Sequence, residues 1–250
     1  MKTALVTGAA RGIGLATTKL FLDEGWQVAM IDRDSDALAD AVTSLDRVHG
    51  IDCDVSEPAS VKGMVAETVR TFGRIDALVN NAGVADFGPI AETSFERWRT
   101  VMATNLDGPF LVTQAAIPAL KETKGAIVNI ASISGLRAST LRVAYGTSKA
   151  GLIQLTLQQA AELGEYGIRA NVVAPGPVKT KLAMAVHSQA IIDAYHDALP
   201  LNRYGTEREI AEAIVFLCSD RASFITGQCL AADGGFEGTG IGLPALRTDG

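Results

Sequence analysis

The sequence has little that would cross a membrane, staple a secreted domain or grip a nucleic acid. Hydrophobic residues make up 48% of the chain, yet no apolar run approaches the roughly 18 residues of a membrane span. The surplus apolar surface points instead to contacts between subunits. Only three cysteines occur, Cys53, Cys218 and Cys229, far apart and without CxxC spacing. That argues against a disulfide framework and leaves reduced, partly buried thiols. His49, His187 and His196 lack metal-ligand spacing, so no structural or catalytic metal is expected. The net charge is −6 with both signs interspersed. No basic stripe offers itself to a phosphate backbone, and nucleic acid is not an expected partner. Met1 to Gly8 has neither a long apolar core nor a small-residue cleavage site, so the protein is expected in the cytoplasm. No internal repeat or linker divides the 250 residues, a length at which an α/β chain can fold as one domain.

What is present centres on Tyr145-Gly146-Thr147-Ser148-Lys149. Positions i and i+4 of a helix lie one turn apart on one face, which sets a phenol beside an ammonium. The positive charge is expected to favour the ionised tyrosine and lower its pKa, so that the pair moves a proton near neutral pH. The helix opened by Tyr145 should run to about Gly164, apolar nearly all round apart from Gln154, Gln158, Gln159 and Glu162. Such a helix is buried on more than one face, against the sheet and against a partner subunit.

The other parts of a hydride-transfer site lie mostly upstream. A β-rich run, Lys2 to Thr7, ends in Thr7-Gly8-Ala9-Ala10-Arg11-Gly12-Ile13-Gly14, and a helical pattern follows. Strand, glycine turn and helix make a phosphate site, because glycines admit close backbone approach and the helix N-terminus offers free N–H groups. The spacing is Gly-x-x-x-Gly-x-Gly, not GxGxxG. A second strand, Trp26 to Asp32, leaves Asp32 at its carboxyl end, 24 residues after Gly8. A carboxylate there can bond a ribose diol and repel a 2′-phosphate, which favours NAD over NADP. Arg11 and Arg33 are the complication: each can pair with a 2′-phosphate or be a solvated side chain.

Asp54-Val55 closes a third strand, 48 to 53, where an adenine edge would lie, and Asp54 can equally be a turn residue or N-cap for a helix over Pro58 to Phe72. The fourth strand, Ile75 to Val79, ends in Asn80-Asn81-Ala82-Gly83, suited to tying neighbouring strands together. Asn105 sits inside an otherwise apolar helical stretch, Val101 to Leu111, either bonding backbone and kinking the helix or holding a water. The fifth strand, Gly125 to Ala131, ends in Ser132-Ile133-Ser134-Gly135, and the sixth, Ile168 to Ala174, ends in Pro175-Gly176-Pro177-Val178-Lys179-Thr180. Residues 181–205 form a long connection, expected to be a lid. A helix over Glu207 to Cys218, a last strand over Gln228 to Ala232 and a Gly-rich tail, 238–250, complete the chain. Phe87, Met184, Val186, Ile191 and Tyr195 are either a pocket lining or ordinary packing, and Arg137 and Arg142 either bind a carboxylate or phosphate or are solvated.

TGAARGIG, NNAG, Asn105, Ser132, YGTSK and PGPVKT together resemble the short-chain dehydrogenase/reductase family in its single-domain branch, over nearly the whole chain. Ser132 stands 13 residues before Tyr145, as the family's catalytic serine stands before its tyrosine. The resemblance implies a Rossmann-like α/β fold: a doubly wound, seven-stranded parallel sheet with helices on both faces, forming three layers. It implies a single domain over 1–250 and a tetramer, less often a dimer. The implied tetrad is Asn105, Ser132, Tyr145 and Lys149. Tyr145 would be the acid/base, Lys149 would lower its pKa and hold the nicotinamide ribose, Ser132 would bond the substrate oxygen, and Asn105 would hold a relay water. The implied cofactor positions are Gly8, Arg11, Gly12, Ile13, Gly14, Asp32, Asp54, Val55, Asn81, Ala82, Gly83, Pro175, Gly176, Val178 and Thr180, with Tyr145 and Lys149. Pro177 departs mildly from the family and stiffens the start of the lid. The expected reaction is NAD-dependent interconversion of a secondary alcohol and a ketone. The alternatives are an NADPH-dependent 3-oxoacyl thioester reductase and a binding-only dinucleotide sensor.

Overall fold

Strands read as unbroken apolar runs when both faces of a sheet are covered, and the middle of this chain's sheet follows that rule. β1 (Thr3–Thr7), β4 (Ala77–Asn80) and β5 (Ala126–Ile130) are buried at every position. With β2 (Gln27–Asp32), β3 (Val48–Asp52), β6 (Arg169–Pro175) and β7 (Cys229–Ala232) they form one seven-stranded sheet in the order β3-β2-β1-β4-β5-β6-β7. Every neighbouring pair is parallel. The computed structural model describes residues 1–181, 184 and 187–239.

The helices cover the two faces. α1 (Gly12–Asp23), α2 (Ser35–Thr43) and a later helix, Glu207–Cys218, share one core with Val6, Val28, Val79, Val128 and Val173. α3 (Pro58–Phe72), α5 (Gly108–Thr123) and α7 (Val143–Leu163) bury Met64, Leu120 and Leu163 against Leu5, Ile31, Leu78 and Ile127 on the other. Local signals fix several ends. Pro58 opens α3 and Gly73, at φ +77°, closes it. The Glu207–Cys218 helix begins with a reciprocal cap: Thr206 Oγ1 accepts from Glu209 N at 3.2 Å, and Glu209 Oε2 accepts from Thr206 N at 2.8 Å.

Two stretches differ from the sequence reading. The helix around Asn105 is broken into α4 (Phe95–Met102), a π turn over Ala103–Asp107, and α5; one inserted π turn leaves no sequence period to detect. The connection 181–205 contains a helix, α8 (Gln189–Ala198), capped by Ser188, and the Glu207–Cys218 helix is α9. A short α6 (Ile133–Leu136) follows β5. Val186 and nearly all of the 238–250 tail lie outside the described residues.

Chain order reverses across the sheet between β1 and β4, which puts a crevice beyond their carboxyl ends. The loops carrying Gly8, Asn81, Ser132 and Gly176 all leave from that edge.

Candidate active site

The glycine turn between β1 and α1 is built for backbone proximity. Gly8 and Gly12 have φ of +65° and +60°, which side-chained residues rarely adopt. A Cβ on Gly14 would lie 2.0 Å from the Gly8 carbonyl oxygen. Asn81 holds this turn from β4: its Nδ2 donates to the carbonyls of Thr7 and Gly8, each at 3.0 Å. The first turn of α1 has no side-chain cap, so its N–H groups and the positive end of its dipole are left for an anion. This donor set fits the pyrophosphate of a dinucleotide.

Asp32, at the end of β2, accepts from Ala10 N and Asp34 N at 3.1 Å each, and no ion pair reaches it among the described residues. The two arginines beside it are both engaged. Arg11 pairs with Asp34, and Arg33 faces Asp54 at 3.5 Å. Asp54 proves to be a turn residue and not a cap: its Oδ1 accepts from Ser56 N at 2.9 Å and from Ser56 Oγ at 2.7 Å. The residue preceding α3 is Glu57. Burial works to raise the Asp54 carboxyl, but the Ser56 bonds and Arg33 hold it below its usual value.

Beyond the glycine turn lies a cavity of about 250 Å³. It gathers most of the expected site: Ile13, Asn81, Gly83, Ser132, Tyr145, Lys149, Pro175, Gly176, Val178 and Thr180, with Phe87 and Tyr195 on its wall. Gly8, Arg11, Gly12, Gly14, Asp32, Asp54, Val55 and Ala82 are not in that lining; they belong to the sheet edge and loops beside it. Met184 and Ile191, read as possible lining, are 39% and 40% exposed and outside the cavity wall. The sequence reading did not assign His187 or Ile130 to the wall. Ile130 could have been found as the last residue of β5, and His187 falls in the 181–205 connection read as a lid.

Short hydrogen bonds to neighbouring residues fix Asn105, Ser132 and Lys149 of the tetrad. Lys149 is 4% exposed and its Nζ donates to the Ile130 carbonyl at 2.7 Å. Ser132 and Tyr145 line the same cavity wall, and Ser132 Oγ accepts from Ser134 N at 3.1 Å. Asn105 is fully buried and clamps the loop after β4: its Oδ1 accepts from Val84 N at 2.8 Å and its Nδ2 donates to Val84 O at 2.9 Å. The same Nδ2 donates to Ser148 Oγ at 3.1 Å, and Ser148 donates to the Tyr145 carbonyl. Asn105 thus bonds backbone, though of another segment, and both its amide hydrogens are committed.

One electrostatic expectation is corrected. Burial pushes the Tyr145 phenol up, and what pulls it part of the way back is the nearby Ser132 hydroxyl and the charge of Arg142, not Lys149. Burial also pushes Lys149 down, to about 8. A dry pocket disfavours both charged forms, which i, i+4 spacing alone does not reveal. Of the other titratable groups, His49 bonds Glu67 and His187 bonds Tyr204. No group of three or more potential metal ligands converges among the described residues.

A family model described as enoyl-(acyl carrier protein) reductase matches residues 8–237. The chain belongs to the short-chain dehydrogenase/reductase family. It is 40% identical to a 2,5-dichloro-2,5-cyclohexadiene-1,4-diol dehydrogenase of Sphingobium indicum, over 94% of this chain and 96% of that one. It is 38% identical to a 3-oxoacyl-[acyl-carrier-protein] reductase of Thermotoga maritima, over 94% and 97%. The crystal structure of levodione reductase superposes with a TM-score of 0.92 at 31% identity, covering 96% of this chain and 98% of the other. Family membership makes this an oxidoreductase acting on CH–OH groups with a nicotinamide dinucleotide. That removes the binding-only alternative. No helix among the described residues is long and apolar enough to cross a membrane.

Proposed function

We propose that the enzyme interconverts a secondary alcohol and a ketone, prefers NAD to NADP, and uses Tyr145 as its general acid/base. The observation carrying this reading is the convergence of Ser132, Tyr145 and Lys149 on the wall of one cavity beside the glycine turn. Bound here, the nicotinamide dinucleotide supplies the hydride donor or acceptor. The Gly8 to Gly14 turn and the start of α1 hold its pyrophosphate. Asp32 takes the adenosine ribose diol, Asp54 and Val55 flank the adenine, and Asn81, Ala82 and Gly83 line its path. Tyr145 and Lys149 hold the second ribose, and Pro175, Gly176, Val178 and Thr180 its carboxamide end.

In reduction, Ser132 donates to the ketone oxygen as negative charge builds there, and Tyr145 gives that oxygen its phenolic proton. In oxidation the carbinol hydroxyl returns its proton to Tyr145 while the carbinol C–H bond breaks. Lys149 refills or drains the proton on Tyr145. Asn105 sets the π turn against the site, and the relay water assigned to it is held by that turn's main chain or by the spare lone pair on Oδ1, since its amide hydrogens are used.

The preference for NAD rests on charge. A 2′-phosphate would meet Asp32, and Arg11 and Arg33 already face Asp34 and Asp54. An NADPH-dependent 3-oxoacyl thioester reductase is the second reading; the Thermotoga relative favours it and the paired arginines oppose it. We also propose that the whole chain works as one domain, that it assembles as a homotetramer with a dimer as the alternative, and that it resides in the cytoplasm. Two buried free thiols, Cys53 and Cys218, are in keeping with a reducing compartment.

The test is reduction of NAD⁺ and NADP⁺ against secondary alcohols, polyols, sugars and hydroxy acids, with Tyr145→Phe as the blank. The variant should lose about 10²- to 10⁴-fold in turnover while NADH binding stays nearly intact. Unchanged turnover would sink the mechanism, and tighter binding of NADPH than NADH would sink the cofactor preference.

A further inference from the structure

Arg142 stands three residues before Tyr145, at the N-cap position of α7. Its guanidinium lies over two rings of the cavity wall, with Cζ 4.6 Å from the Phe87 centroid and 5.7 Å from that of Tyr145. Cations at the protein rim normally find a carboxylate, and the neighbouring ones do. Arg97 holds Asp86 at 2.6 Å, and Arg137 pairs with Glu237. Among the described residues Arg142 has no ion pair and its guanidinium makes no hydrogen bond to protein. Residues 181–187 contain no acidic residue in sequence.

Beyond these ring faces, the cavity wall holds no acidic residue to pair with this cation. Phe87, Tyr195 and His187 are rings, and His187 and Tyr195 stack at 5.7 Å. His187 is bonded to Tyr204 at 3.0 Å, and burial together with Arg142 pushes its pKa down, so it stays an uncharged ring at neutral pH. A half-buried arginine with five donors, aimed into a cavity beside the acid/base, is a recognition group with its partner missing.

We propose that Arg142 anchors a single anionic group on the substrate, so that the ketone or alcohol carries a carboxylate, sulfonate or phosphate a few bonds from its reacting carbon. The inference rests on the alcohol/ketone chemistry proposed above and names its substrate class. A guanidinium holds an oxyanion at about 2.8 Å, and Tyr145 holds the reacting oxygen at about 2.7 Å. With 5.7 Å between guanidinium and ring, one small molecule spans both. The aromatic wall then accepts whatever apolar group extends from the carbinol.

The test uses the protein with NADH bound and matched ketones. Acetoacetate and 4-phenyl-2-oxobutanoate are compared with their methyl esters, and acetonyl sulfonate and acetonyl phosphate with 2-pentanone. Binding is read from quenching of NADH fluorescence and turnover as kcat/KM. At least one anion should exceed its neutral counterpart by about tenfold or more, Arg142→Gln should cut that ratio about 10- to 100-fold, and Arg142→Lys should restore part of it. Esters that match or outrank every anion overturn the inference, as does failure of all the anions to bind. Arg142→Gln lowering acid and ester alike overturns it too, since the guanidinium would then serve only Tyr145 or local packing. The two proposals fail separately: an anion that binds through Arg142 without being reduced counts against the chemistry, whereas ketones reduced with no preference for anions count against Arg142.

Discussion

At the scale of single residues, the active site is an exercise in keeping protons where burial would remove charge. Lys149 donates to the Ile130 carbonyl in a nearly dry pocket, and its ammonium is pushed down to about 8, while the Tyr145 phenol is pushed up. The group that changes charge first as pH rises is therefore the lysine. Below pH 8 the pair carries both protons and is set to give one away; above it, Lys149 is neutral and can accept. We expect kcat/KM for ketone reduction to fall, and for alcohol oxidation to rise, as pH passes through about 8. The paired limbs belong to the couple as a whole, not to one group. Lys149→Arg should move both limbs upward, because a guanidinium does not deprotonate in this range. pH profiles in the two directions, wild type against variant, check this; a limb near 8 that survives in Lys149→Arg would assign it to another group.

At the scale of elements, the β1–α1 unit is held by close backbone contact more than by side chains, and the cost of disturbing it can be anticipated. Alanine at Gly14 would place a carbon 2.0 Å from the Gly8 oxygen and 2.7 Å from Asn81 Nδ2. The first of these is backbone and cannot swing aside. Gly14→Ala should lose about 1–3 kcal/mol or more and weaken NADH binding at least about tenfold, since the turn must open. Gly63, exposed in the middle of α3 with open space for 4 Å around the point where a Cβ would stand, is the control: Gly63→Ala should stabilise by about 0.5–1 kcal/mol. Calorimetric melting and NADH titration of the two variants decide. The same contrast explains what the sequence could disclose. Gly8, Gly12 and Gly14 were readable because a phosphate turn needs several glycines, and α3 and α9 were bounded correctly because Pro58, Gly73 and Thr206 act within one turn of themselves. What escaped depends on partners distant in sequence. The π turn at Asn105 answers to Val84, and Gln159, read as a polar break in an apolar helix, is buried because Asn129 Nδ2 donates to its Oε1 at 2.8 Å. No spacing rule carries that information.

At the scale of the whole molecule, exposed apolar side chains among the described residues mark two places that a second copy could cover. One is on α5 and α7, where Phe110 is 47% and Leu157 is 41% exposed; the other is the end of the sheet, where Leu230 of β7 is 41% exposed. Scattered exposed apolar residues need no explanation. Here, however, β7 is an edge strand whose Cys229 and Leu230 are both exposed, and unpaired edges are usually shielded. A closed dimer needs one self-complementary face, whereas a tetramer with three perpendicular two-fold axes needs at least two. Two distinct faces therefore favour the tetramer. Sedimentation velocity should give a tetramer for the wild type at micromolar concentration. Phe110→Asp with Leu157→Asp should remove one face and leave a dimer, Leu230→Asp should remove the other and also leave a dimer, and the triple variant should be monomeric. A wild type that sediments as a monomer, or a Leu230→Asp variant that remains tetrameric, would mean that the β7 edge is covered within the chain and not by a second copy.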